Sequence, residues 1–136
     1  MFGKNAKAEM LKRVPLFSDC SRAELARVAE IADEMAFPPG RTLIQEGKPG
    51  REFFVIADGS VDVRRKGRRL PQRGDASFFG EMALLTGKPR NASVTTTSPV
   101  RALVITDRAF KQLLDEVPSI RAKILTNLAS RIPDGS

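Results

Sequence analysis

Residues 39–63 read PGRTLIQEGKPGREFFVIADGSVDV. Pro39-Gly40, Gly47, Pro49-Gly50 and Asp58-Gly59 cut this stretch into segments at 41–45, 52–57 and 60–65, each too short to be a stable helix. In the last segment Val61 and Val63 alternate with Asp62 and Arg64, the period of a strand with one face turned inward. The punctuation continues at Gly67, Gly74-Asp75 and Gly87, with further strand-like segments at 69–71, 92–97 and 101–105. Short strands broken at such close intervals predict an antiparallel barrel or jelly roll.

On either side of these strands the period changes to that of helices. Residues 6–14 suit a short helix that Pro15 interrupts. Ser21-Arg22-Ala23-Glu24 is a capping-box pattern, opening a helix that the spacing carries through Ile31 to Met35, with Leu25, Val28, Ala29 and Ala32 on one face. After the strands, Thr106-Asp107 opens a helix whose Phe110, Leu113 and Leu114 form a buried stripe. Pro118 breaks it. A last helix spans 119–132, with Ile120, Ile124, Leu125, Leu128 and Ile132 as its apolar stripe, and Pro133 and Gly135 end it. The expected fold is α+β, mainly β: one domain over 1–136, with N-terminal helices at 1–36, a β-roll at 37–105 and C-terminal helices at 106–132.

A chain of 136 residues has room for one real core. Its longest clear apolar run, Phe53-Phe54-Val55-Ile56-Ala57, falls far short of the roughly 20 residues that span a bilayer. The start, MFGKNAKAEM, lacks the apolar region of a signal peptide. We therefore expect a cytoplasmic chain with no membrane segment. The single Cys20 has no internal partner for a disulfide and reads as a small residue near a helix start. With no histidine, the usual metal sites and histidine-based catalysis are unavailable, and no nucleophile-base pair stands out. No enzyme, catalytic residue, metal or cofactor is expected. The net charge of +7 and a pI near 10.2 favour an anionic partner. The densest cluster, Arg64, Arg65, Lys66, Arg68 and Arg69 around Gly67, reads as a solvated hairpin tip, because no aromatic residue is interleaved for base stacking.

The stretch at 79–94, FGEMALLTGKPRNASV, interrupts the strands with a short helical turn. Gly80 permits close backbone approach. The turn through Met82, Ala83, Leu84 and Leu85 offers unpaired amide N–H groups to an anion. Arg90, just past Pro89, supplies a planar fork suited to phosphate. Glu81 is repelled by phosphate and so suits a hydroxyl donor such as a ribose. Alternatively, Glu81 and Arg90 form an ion pair with each other. Ala92 and Ser93 leave room as the next strand begins.

In these residues the chain resembles the cyclic nucleotide-binding domains of bacterial transcription regulators, kinase regulatory subunits and gated ion channels. FGEMALLTGKPRNASV is similar to their phosphate-binding cassette. The likeness extends through VPLFSDCSRAELARVAE before the strands, PGRTLIQEGKPGREFFVIADGSVDV within them and DRAFKQLLDEVPSIRAKILTNLASRI after them. Two departures are the longer approach RGDASFFGE and Asn91, where members often carry Ala, Ser or Thr. The resemblance implies that Phe79, Gly80, Glu81, Met82 and Ala83 lie along the sugar-phosphate, with Glu81 accepting from the 2′-hydroxyl. It implies that Arg90 holds the exocyclic phosphate oxygens and that Asn91 contacts phosphate or purine, with Ala92 beside it. Val61, Val63 and Val94 would wall the base; Leu84, Leu85 and Phe110 would relay occupancy; Leu128, Arg131 and Ile132 would close as a lid. The function implied is a sensor of cyclic AMP, with cyclic GMP left open, acting on a downstream protein or attached domain. The alternatives are a degenerate fold serving as an interaction scaffold and the ligand-binding domain of a channel. A DNA-binding regulator of this family would need a further domain after Ile132, and none is expected within 136 residues.

Overall fold

A strand buried at every consecutive position must be packed on both faces. Phe53, Phe54, Val55 and Ile56 are all at most 5% exposed, so the segment holding them lies at the centre of the molecule. The computed structural model describes residues 4–70, 78–79, 89–90 and 92–131. Among these, the strands are β1 (Asp33–Phe37), β2 (Thr42–Ile44), β3 (Glu52–Asp58), β4 (Val61–Arg65), β5 (Arg68–Arg69), β6 (Phe78–Phe79), β7 (Ser93–Thr96) and β8 (Val100–Thr106). The helices are α1 (Lys4–Lys12), a 3-10 turn (Pro15–Phe17), α2 (Arg22–Ile31), α3 (Asp107–Glu116) and α4 (Pro118–Arg131).

The strands form two four-stranded sheets, ordered β1-β8-β3-β6 and β2-β7-β4-β5, with every pairing antiparallel. Alternation along β3 and β8 then divides the core in two. Phe54 and Ile56, with Ala102 and Val104 of β8, join Ile44, Val61, Val63 and Val94 between the sheets. Phe53 and Val55, with Leu103 and Ile105, meet the helices through Leu11, Phe17, Val28, Phe110, Ile120 and Ile124. Phe17 is the hub of the helical layer, edge-to-face with Phe53 at 6.3 Å and with Phe110 at 6.1 Å between centroids. This is the jelly roll with flanking helices that the strand punctuation predicts.

Local chemistry accounts for the element ends. Ser21 Oγ accepts from the Glu24 N–H at 3.2 Å while the Glu24 carboxylate accepts from the Ser21 N–H at 2.7 Å, so the capping box is formed in full. Thr106 caps α3 by accepting from the Ala109 N–H at 3.2 Å. Pro118 opens α4, where its missing N–H costs nothing. At the basic hairpin, Lys66 and Gly67 take φ of 52° and 78°, the left-handed pair that a two-residue turn between β4 and β5 requires. Asp62 accepts from Arg64 Nε at 2.6 Å and from Arg69 Nε at 2.7 Å, and this holds its carboxyl below the usual range. The tip itself is exposed, as a solvated turn should be.

Three expectations are corrected. The capping-box helix stops at Ile31 with Ala32 as its C-cap, and Met35 lies in β1, 42% exposed. The strands therefore begin at Asp33 and not after residue 36, because Asp33–Phe37 pairs with β8 in an unbroken five-residue register that outweighs the helical preference of Glu, Met and Ala. The two-residue β6, pairing with Phe54 and Val55, was not among the expected strands. In α4, Ile120 and Ile124 are fully buried but Leu125 is 51% exposed, since it points about 100° away from Ile124 around the helix.

Candidate functional site

Arg90 follows Pro89 and precedes β7, and its backbone is fastened at both ends to the turn after β2. The Gly47 N–H donates to the Arg90 carbonyl at 2.8 Å, and the Arg90 N–H donates to the Lys48 carbonyl at 2.9 Å. Gly47 has φ of 84°, a conformation that costs glycine little and other residues more. One step along, the Glu46 N–H donates to Ser93 Oγ at 2.9 Å. This lacing sets the direction in which the Arg90 side chain leaves the backbone.

The guanidinium is buried, with Arg90 only 8% exposed. Its Nη2 donates to the carbonyl of Glu52, the first residue of β3. Its Nη1 is buried without a hydrogen-bond partner among the described residues. Thr96, the other buried polar residue described, is the contrast: its hydroxyl donates to the Pro38 carbonyl at 2.6 Å and accepts from the Arg41 N–H at 2.8 Å. Burial pulls the Arg90 pKa downward and nearby Glu52 opposes this, yet a guanidinium stays charged throughout the physiological range. Leaving a buried N–H of a charged group unpaired costs at least about 1–3 kcal/mol. An anion arriving at Nη1 would remove that cost.

The sheet β2-β7-β4-β5, which holds the strand that follows Arg90, turns an apolar surface toward the other sheet. Val63 pairs with Val94 across β4 and β7, Val61 with Thr96, and all three valines are at most 8% exposed. Ala92 packs half-buried against the same cluster. These valines therefore belong to the core between the sheets. Phe110 is buried against Phe17 in the helical layer.

Most other expected site residues are not among those the structure describes. Gly80, Glu81, Met82, Ala83, Leu84, Leu85, Asn91 and Ile132 lie outside the described residues, as does the alternative of a Glu81–Arg90 ion pair. Phe79 is placed by its backbone, paired to Phe54. Leu128 and Arg131 are in α4, their side chains outside the description. The contact of the Gly47-Lys48 turn with Arg90 and the role of the Glu52 carbonyl were missed by sequence reasoning. The turn itself was legible in Gly47 and Pro49-Gly50, but its partner was not. Among the described residues no cluster of His, Cys, Asp and Glu could hold a metal ion, and no helix is long and apolar enough to cross a membrane.

Comparison with known proteins bears on the family and the fold. The chain is 38% identical over 114 residues to a cAMP-dependent protein kinase regulatory subunit of Aspergillus niger, an alignment covering 81% of this chain and 27% of that relative. It thus spans about a quarter of the length of that relative. In structure it is similar to the N-terminal domain of a transcriptional regulator from Streptomyces coelicolor A3(2), with a TM-score of 0.81, 27% identity, and 93% and 94% of the two chains covered. It is also similar to the catabolite activator protein of Thermus thermophilus, with a TM-score of 0.72, 25% identity, and 89% and 59% covered. The family model for the cyclic nucleotide-binding domain matches residues 34–117, a span that takes in β1 to the end of α3 and has Arg90 within it, and the chain belongs to that family.

Proposed function

We propose that this chain is a cyclic nucleotide sensor domain that binds cyclic AMP and passes occupancy to a partner through α3 and α4. The observation that carries the reading is the buried Arg90 guanidinium, with Nη2 on the Glu52 carbonyl and Nη1 without a partner among the described residues. A monoanionic cyclic phosphate supplies the acceptors and the charge that such a group lacks. The similarity to a cAMP-dependent kinase regulatory subunit supports cyclic AMP as the ligand. Domains of this family are regulatory and not catalytic, and no enzymatic step is proposed.

Within this reading Arg90 holds the exocyclic phosphate oxygens, with Gly80, Met82 and Ala83 along the sugar-phosphate and Glu81 accepting from the ribose 2′-hydroxyl. Val61, Val63 and Val94 form the wall beside the base. Asn91 bears on base choice: its carbonyl suits the 2-amino group of guanine, while its amide equally suits phosphate or backbone. We expect a mild preference for cyclic AMP, with cyclic GMP binding measurably. The lid assigned to Leu128, Arg131 and Ile132, the relay through Leu84 and Leu85 and the downstream partner belong to the same proposal.

Calorimetric titration with cyclic AMP, cyclic GMP and linear AMP tests it. The unmodified chain should bind the cyclic ligands far more tightly than linear AMP. Arg90→Ala should weaken binding at least about tenfold, the equivalent of losing one charged hydrogen bond. A chain that binds neither cyclic nucleotide is a scaffold with the family's fold and not a sensor.

A further inference from the structure

The Glu24 carboxylate serves two elements at once. Its Oε1 accepts from the Ser21 N–H at 2.7 Å, which caps α2, and the same oxygen accepts from Lys123 Nζ at 2.5 Å. Lys123 belongs to α4 and lies 99 residues further along the chain. The Ser119 side chain, one turn earlier in α4, hydrogen-bonds the same carboxylate. The pair is shielded on one side, with the Glu24 side chain 12% exposed and that of Lys123 36% exposed. By contrast, the ion pair joining α2 to α3, Arg27 to Glu116 at 3.5 Å, is about half exposed on both sides.

Capping does not require this second partner, because an uncharged Gln at the same position completes a capping box equally well. What the charge adds is a tie between helices. Ile120 and Ile124, both fully buried, anchor α4 by apolar contact, and Lys123 stands between them in sequence. Close apolar packing sets the register of α4, and the charged hydrogen bond adds an electrostatic hold on the same helix. Undocking α4 would take from Glu24 both its cation and the Ser119 hydrogen bond.

We propose that the Glu24–Lys123 pair is a latch that helps hold α4 docked on the N-terminal helices, so that the population of undocked α4 in the ligand-free chain depends on a contact that the nucleotide-site residues do not make. The structural half of this inference stands alone; its consequence for signalling rests on the sensor reading. If α4 carries the response to nucleotide, the latch sets the threshold that ligand must overcome.

The test is amide exchange over 118–131 in the ligand-free chain, comparing the unmodified protein with Glu24→Gln, Lys123→Met and the double variant. Each single substitution should speed exchange of α4 about fivefold, the upper range for a partly exposed ion pair. The double variant should be no faster than either single one, because both remove the same contact. Exchange in α2 should stay unchanged in Glu24→Gln, which keeps the cap. Unchanged exchange in α4, or equal acceleration in α2 and α4, would overturn the latch.

Cys20, the chain's single cysteine, supplies a second readout, since its buried thiol lies within the electrostatic reach of both charges. If the latch opens, a thiol reagent should label Cys20 faster in both single variants. If the pair acts on the thiol through charge alone, Glu24→Gln should speed labelling and Lys123→Met should slow it, and that opposite pair of signs would sink the proposal. Titration of the same variants with cyclic AMP separates the two readings. A chain that never binds nucleotide but shows faster α4 exchange refutes the sensor and keeps the latch.

Discussion

Arg90 and Gly59 each hold a conformation or a charge that the fold alone does not favour. For Arg90 the cost is electrostatic: it is buried, with Nη2 satisfied and Nη1 without a partner among the described residues. If the residue is there for a ligand, removing its charge should not harm the fold. Arg90→Met, which keeps much of the volume and removes the orphan donor, should leave unfolding stability unchanged or raised. A loss above about 2 kcal/mol in urea unfolding would instead make Arg90 a structural residue. Gly59 carries a backbone constraint at φ of 102°, and a Cβ there would collide with the Pro99 carbonyl oxygen and lie 2.9 Å from Val100 Cα. Gly59→Ala should cost about 1–3 kcal/mol or more. Gly67→Ala, at φ of 78° but with open space around it, should cost about 1 kcal/mol and serves as the control. Equal losses at the two positions would show that steric collision adds nothing at Gly59.

At the scale of elements, α4 separates packing from hydrophobicity. Ile124 is fully buried and its neighbour Leu125 is 51% exposed. Ile124→Ala should therefore cost about 2–5 kcal/mol. Leu125→Ala should stay within about 0.5 kcal/mol, measured by the same unfolding experiment. Sequence periodicity found the stripe and overextended it, because a leucine beside a buried isoleucine looks apolar whether or not the face continues. The central strands were legible because Pro39-Gly40, Gly47, Asp58-Gly59 and Gly67 mark turns by backbone chemistry. β1 was not legible. Its residues, DEMAF, have no period of their own, and the strand exists because β8 offers a five-residue register. The same division runs through the site. Arg90 stood out as a fork beside a proline, but the carbonyl it holds lies 38 residues away and leaves no trace in side-chain identity.

Across the whole molecule, the tie between its two helical ends predicts a particular dependence on pH. The hydrogen bond from Lys123, then those from the Ser21 backbone and the Ser119 side chain, lower the Glu24 pKa from its ordinary 4.5 to about 2. A carboxyl whose pKa is depressed on folding contributes stability that is fully present above its unfolded value and is lost as pH falls toward its folded value. The contribution of Glu24 should thus be complete above about pH 5 and fade between 4.5 and 2. Lys123 titrates in the opposite sense. Its pKa is raised above 10.5 by the Glu24 hydrogen bond, so its share is present below 10.5 and is lost as pH climbs through the raised value. Asp62, depressed by Arg64 and Arg69, also weakens the fold in acid, so the unmodified chain alone does not isolate the pair. The difference between the chain and Lys123→Met does isolate it, because Asp62 titrates alike in both. That difference, from urea unfolding at pH 3, 5, 7 and 9, should be flat from 5 to 9 and smaller at 3. A difference that is the same at pH 3 as at pH 7 would mean that Lys123 holds α4 through its methylenes and not through its charge.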